Sequence, residues 1–164
     1  MAISVYDNTA GFVPVAGPTQ FVTFKVGATA VKQGTAVKLS SGTVIPVLAT
    51  GGGQIGVAAC AGAVGDYIPV NVDPETLYEA TTNDQAAAIT DIGKYLVITA
   101  ESSATNLSNQ KVDMSAAATT ITVDHVFQVV GLPGKVTNIA AASNLKVVVK
   151  MLSSALEPYV DATV

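Results

Sequence analysis

The chain contains no arginine, no tryptophan, one cysteine and one histidine, and its charges are eight Lys against twelve Asp or Glu in 164 residues. Each scarcity excludes something. Sequence-specific nucleic-acid recognition leans on basic patches and on the two-pronged guanidinium, and here the guanidinium is missing and the net charge is −4. A disulfide scaffold needs paired cysteines, and Cys60 has no partner in its own chain. A disordered chain is poor in apolar residues and rich in charge; this one is 49% hydrophobic and 12% charged, with a mean hydropathy of +0.48. The longest uncharged stretch, residues 39–65, is broken by seven glycines and Pro46, whereas a spanning helix needs about 20 predominantly apolar residues; no membrane partner is expected. The first seven residues, MAISVYD, carry neither a basic nor an apolar export signal. The expectation is synthesis and use in the cytoplasm, with Cys60 reduced and packed as a small hydrophobe.

What the chain has instead is 25 Val, 25 Ala and 18 Thr. Val and Thr are stiff at χ1 and favour strands. Extended segments are expected at 20–26 (QFVTFKV), 35–40, 43–49 (TVIPVLA), 54–59, 67–72 (YIPVNV), 95–99 (YLVIT), 119–130 and 145–152 (LKVVVKML), with turns at Gln33-Gly34 and Ser41-Gly42. Pro46 pushes its strand towards a sheet edge. Residues 51–53 are three glycines and read as a loop, as does polar 102–110. One short helix is expected over 83–92, with Asn83 as its cap, three consecutive alanines and Gly93 at its end. Residues 1–20 keep no period and hold Gly11, Pro14, Gly17 and Pro18 between apolar side chains; they read as an extended N-terminal arm. The fold class is therefore mainly β, a small barrel or sandwich over residues 21–164 as a single domain, with that arm in front.

The search for chemistry finds no catalytic set. A lone His and a lone Cys make no local metal cluster, and the acids at 73–79 lack a calcium-loop spacing. Alternation places His125 on a strand face with Ile121, Val123, Phe127 and Val129, which reads as a core or interface histidine whose contact is sensitive to pH. The run GGGQIG at 51–56 lacks the Gly-Lys-Ser/Thr of a phosphate loop. Val149-Lys150-Met151 is only a fragment of a carrier-lysine hairpin. Neither enzyme, nor metal, nor cofactor is expected; a sugar-binding or enzymatic barrel would need a polar cleft around Asp66, Asp73, Glu75 and Glu79.

One stretch carries a likeness. Residues 29–72 run TAVKQGTAVKL, SGTVIPV and then QIGVAACAGAVGDYIPVNV, ending in the pattern Ala-x-x-Gly-Asp-x-Ile-x-Val. This resembles the small β-barrel of tailed-bacteriophage capsid decoration (cement) proteins and related virion structural proteins. Asp91-Ile-Gly-Lys-Tyr95, residues 109–113 (NQKVD) and 127–132 (FQVVGL) are similar to phage virion proteins more loosely. The resemblance implies a homotrimer on the capsid exterior at three-fold or quasi-three-fold positions, clamping the major capsid protein, with an arm reaching onto the capsid or a neighbouring copy. Tyr6, Phe12, Val13, Pro14, Val15 and Phe21 are the expected capsid or inter-subunit contacts, aromatics being favoured interface anchors. Another virion part, such as a tail-tube, head-fibre base or adhesin module, shares this composition.

Overall fold

A computed structural model describes residues 11–49, 51–83, 86–132, 138–139 and 145–152. The chain forms two antiparallel sheets that pack face to face as a sandwich. Six strands make the larger sheet: β1 (Val13–Ala16), β7 (Leu77–Thr81), β13 (Lys146–Met151), β11 (Phe127–Gly131), β9 (Tyr95–Ile98) and β10 (Val112–Ala118), in that spatial order. The second sheet runs β2 (Phe21–Lys25), β6 (Tyr67–Asn71), β5 (Gln54–Ala58), β3 (Ala36–Ser40), β4 (Thr43–Pro46). A two-stranded piece pairs β8 (Ala87–Ala88) with β12 (Asn138–Ile139). The sheets are open. The second one curls until Val26, just beyond β2, meets Val44 of β4 in a single bridge, with Gly27 N–H donating to Val44 O at 2.8 Å.

Period-two alternation builds the main core. Tyr78 and Ala80, Val147, Val149 and Met151, Phe127 and Val129, Leu96 and Ile98, and Val112 and Met114 point inward from successive strands of the six-stranded sheet. They meet Ala36, Val47 and Val57 from the other side, and Phe12. A second core of Val26, Val31, Val37, Val44, Ile55, Ala58, Ile68 and Val70 fills the opposite face of the five-stranded sheet. With a core on each face, all five residues of β5 are buried. Cys60 is half-buried against this second core. The Ser41-Gly42 turn joins β3 to β4 as a two-residue loop, Ser40 pairing with Thr43, and both residues take positive φ (49° and 79°). β4, which carries Pro46, is an edge strand as its proline requires.

The fold class is the mainly β one expected, and of its two architectures the chain forms the sandwich, with open sheets. Two expectations are corrected. The described part of 83–92 holds no α-helix: Ala87-Ala88 pair as a strand and residues 89–91 make a single 3₁₀ turn. Helix propensity is a weak prior. Ala87 is a buried core residue, and Asn83, instead of capping, accepts from Met114 N–H at 3.0 Å and donates to Asp113 Oδ1 at 2.6 Å. Residues 119–130 are not one strand either, because a turn at 122–125 separates β10 from β11.

The two sheets are also tied by a side chain. Gln110 is 1% exposed. Its Oε1 accepts from Ala36 N–H at 2.9 Å and its Nε2 donates to Val47 O at 3.0 Å, completing a ladder in which Val47 N–H already donates to Ala36 O at 2.8 Å. Gln110→Ala leaves one buried donor and one buried acceptor without partners, and we expect a loss of about 2–4 kcal/mol in denaturant unfolding. Burial acts to raise the Asp113 carboxyl, but hydrogen bonds from Ser115 and Asn83 and from the backbone N–H groups of Ser115 and Ala116 prevail and hold it below its ordinary 3.8. A depressed carboxylate stabilises the fold above its unfolded value and loses that contribution as pH falls through the folded value. Urea titrations of wild type and Asp113→Asn should therefore differ by about 1–2 kcal/mol at neutral pH, the difference shrinking as pH falls below the ordinary value of 3.8 and vanishing only below the lowered folded value.

Candidate functional site

Strands β1 and β2 follow one another in the chain, yet each is the terminal strand of a different sheet. The link 17–20 that carries the chain between them is pinned: Thr76 Oγ1 donates to Pro18 O at 2.6 Å, Val72 N–H to Gln20 O at 2.8 Å, and Gln20 N–H to Asn71 Oδ1 at 3.1 Å. So short a link brings the outer edges of both sheets to one side of the sandwich. Between them lies a cleft of about 90 Å³, lined by Phe12, Val13, Pro14, Phe21, Val57 and Tyr78 among others.

Four of the six expected contact residues thus meet around one cleft, but they play different parts. Phe12 is 1% exposed and stacks on Phe127 with ring centroids 4.3 Å apart, Phe127 in turn meeting Tyr78 edge-on at 6.1 Å. It is an anchor of the chain's own core and cannot also be an anchor in a partner. Val13 and Pro14 are half-buried and pair with Glu79 and Tyr78 of β7. The register slips between Pro14 and Ala16, and Val15 at the slip is 51% exposed. Phe21, the first residue of β2, is 54% exposed. Tyr6 lies outside the described residues. The expected arm is integral to the sandwich where it is described, Phe12 in the main core and Val13–Ala16 as a strand of the larger sheet.

On the face of β2 and β6 turned away from the second core the pairs are Phe21–Asn71, Thr23–Pro69 and Lys25–Tyr67. Tyr67 is 70% exposed. It stands opposite Lys25, at the other end of the β2–β6 ladder from Phe21, and is not among the residues expected at a contact. The signal was available: Tyr67 follows the Gly65-Asp66 turn and opens a strand whose alternate residues, Ile68 and Val70, are buried.

Beneath the cleft the polar groups are occupied. Asn71 Nδ2 donates to Thr76 Oγ1 and to Tyr78 Oη, both at 3.0 Å, and its Oδ1 accepts from Gln20 and Asp73 N–H. Burial pushes the Tyr78 phenol up to about 12, aided by the Asp73 charge and opposed by hydrogen bonds with Thr76 and Asn71. It stays protonated and is no base at neutral pH. The acids expected to line a polar cleft do not converge. Asp66 accepts from Ala63 N–H at 2.8 Å, Asp73 from Glu75 N–H at 2.8 Å, Glu75 pairs with Lys150 at 2.7 Å and Glu79 pairs with Lys146. Among the described residues no group of three or more His, Cys, Asp or Glu could hold a metal ion, and no helix is long and apolar enough to cross a membrane. His125 is buried, but not on the strand face expected: Ile121 and Val123 are 55% and 86% exposed on the turn beside it.

The division of labour around the cleft is testable by unfolding. Phe12→Ala should cost about 3–5 kcal/mol, as for a large aromatic removed from a packed core. Phe21→Ser and Tyr67→Ser should each stay within about 0.5 kcal/mol of wild type. Comparison of the chain with protein-family models and with curated proteins finds no match.

Proposed function

We propose that the chain is a virion structural protein that decorates and cements a bacteriophage capsid from the outside, binding the major capsid protein as a homotrimer. The observation that carries this reading is the exposure of Val15 on β1 and Phe21 on β2, where the terminal strands of the two sheets adjoin, with Tyr67 exposed at the far end of the β2–β6 ladder, in a chain poor in charge. Exposed apolar area gathered at one place is what a protein–protein contact covers. β1 also ends its sheet, so an extended segment of a neighbour can add to it through backbone hydrogen bonds. The reading is structural rather than enzymatic: the acids that a polar cleft would need are each engaged in a turn or an ion pair. Neither cofactor, nor nucleic acid, nor membrane belongs to it, and synthesis takes place in the host cytoplasm.

Co-sedimentation with undecorated capsids of the cognate major capsid protein tests it. Wild type should bind at saturable sites, and the double variant Phe21→Ser, Tyr67→Ser should bind about tenfold or more weakly, since each aromatic buries an area worth about 1.5–3 kcal/mol. Equal binding by the variant removes these two aromatics from the contact; wild type that ignores capsids overturns the assignment.

A further inference from the structure

His125 is the single histidine of the chain, and the capsid reading leaves it unused. It is 6% exposed and closes the turn at 122–125 in both directions. His125 N–H donates to Thr122 O at 3.2 Å, and Thr122 N–H donates back to the ring Nδ1 at 2.8 Å. An amide N–H can only donate. Nδ1 is therefore the bare nitrogen, the ring is neutral, and its proton sits on Nε2. Thr122 Oγ1 lies 3.0 Å from the same Nδ1.

The rest of the turn is held lightly. Val123 O presses on the backbone at Gly52, where a Cβ would stand 1.8 Å from it, so only glycine admits the approach. Gln54 Nε2 reaches His125 O and Val126 O at 3.5 and 3.4 Å, at the long limit of a hydrogen bond, and its own Oε1 is buried without a partner. The turn and its approach carry Ile121 and Val123, both exposed.

We infer that protonation of His125 opens this turn, which makes the loop between β10 and β11 a pH-gated carrier of Ile121 and Val123. A proton on Nδ1 converts an acceptor into a donor. Thr122 Oγ1 is in place to receive the new N–H, while the Thr122 amide loses its acceptor and faces a like dipole. Around the ring, β9 brings Tyr95, its ring centroid 5.9 Å from the imidazole, and the turn itself carries half-buried Asp124. On the side of the 51–54 loop, Lys38 of β3 holds its ammonium beside Gly51, and Leu152, which donates to Val126 O, is apolar. The inference rests on the turn and not on the capsid assignment.

Nitrogen-15 NMR of the full chain tests it. At about pH 7.5 the ring should show the Nε2–H tautomer, and between about pH 7.5 and pH 5 the Thr122 amide should lose about tenfold or more of its exchange protection, after correction for intrinsic rates, while Val129 in β11 keeps its own. His125→Asn places an oxygen acceptor near the Nδ1 position without a titrating ring, and should hold Thr122 protection constant across that range. An Nδ1–H tautomer at the higher pH, Thr122 protection in wild type that does not change with pH, or the same loss in His125→Asn overturns the inference. Should His125→Asn fail to fold, the wild-type tautomer and exchange data decide alone.

Discussion

A buried carboxamide joins the two halves of this protein. Gln110 leaves the loop before β10, enters the space between the sheets and supplies the donor and acceptor that Val47 O and Ala36 N–H lack. The loop that delivers it is itself clamped: Glu101 accepts from Ser108 Oγ, from Thr35 Oγ1 at 3.3 Å and from Ser103 N–H at 2.7 Å, while Ser108 N–H donates to Gln33 O at 2.8 Å. Asn71 does for β2, β6 and β7 what Gln110 does for β3 and β4, gathering Gln20, Asp73, Thr76 and Tyr78. Neutral amides can satisfy buried backbone groups without the desolvation cost of an ion. A chain so poor in charge holds its sheets in register by this means.

The same economy shapes the outside. Two ion pairs of β13, Lys146 with Glu79 of β7 and Lys150 with Glu75 in the turn before β7, are partly exposed and contribute little to stability. They do mark the outer face of the larger sheet as a wetted one. Exposed apolar side chains stand at the joint edge of β1 and β2, at the turn before β11, and also at Leu39, Leu48, Val64, Ile89 and Ile92.

Much of the fold was legible in the sequence. Strand positions followed from β-branched runs between turn residues, and the Ser41-Gly42 hairpin and the edge position of Pro46 followed from backbone restrictions that hold in any context. The site was legible in outline: Val13, Pro14, Val15 and Phe21 were recognised from apolar residues placed among prolines and glycines, and they do gather at one edge. Phe12 was misread as an outward anchor, because apolar character says that a side chain is buried and not in which molecule. The helix over 83–92 was misread because alanine favours helices in isolation but also fits wherever backbones approach closely, as Ala87 does. His125 was read as buried and is buried, but by closing a turn on itself.

Composition and local pattern alone determined that this chain is a β protein with little charge, where most of its strands begin and end, and that no local motif for metal, phosphate or nucleophilic chemistry is present. Those properties depend on residues within a few positions of one another. Tertiary structure decided that the strands divide into two open sheets, that Phe12 turns inward while Phe21 and Tyr67 turn outward, and that Gln110 bridges strands more than sixty residues away. These depend on which surfaces meet across the sandwich, and a partner distant in sequence leaves no periodic trace in the residues on either side of it.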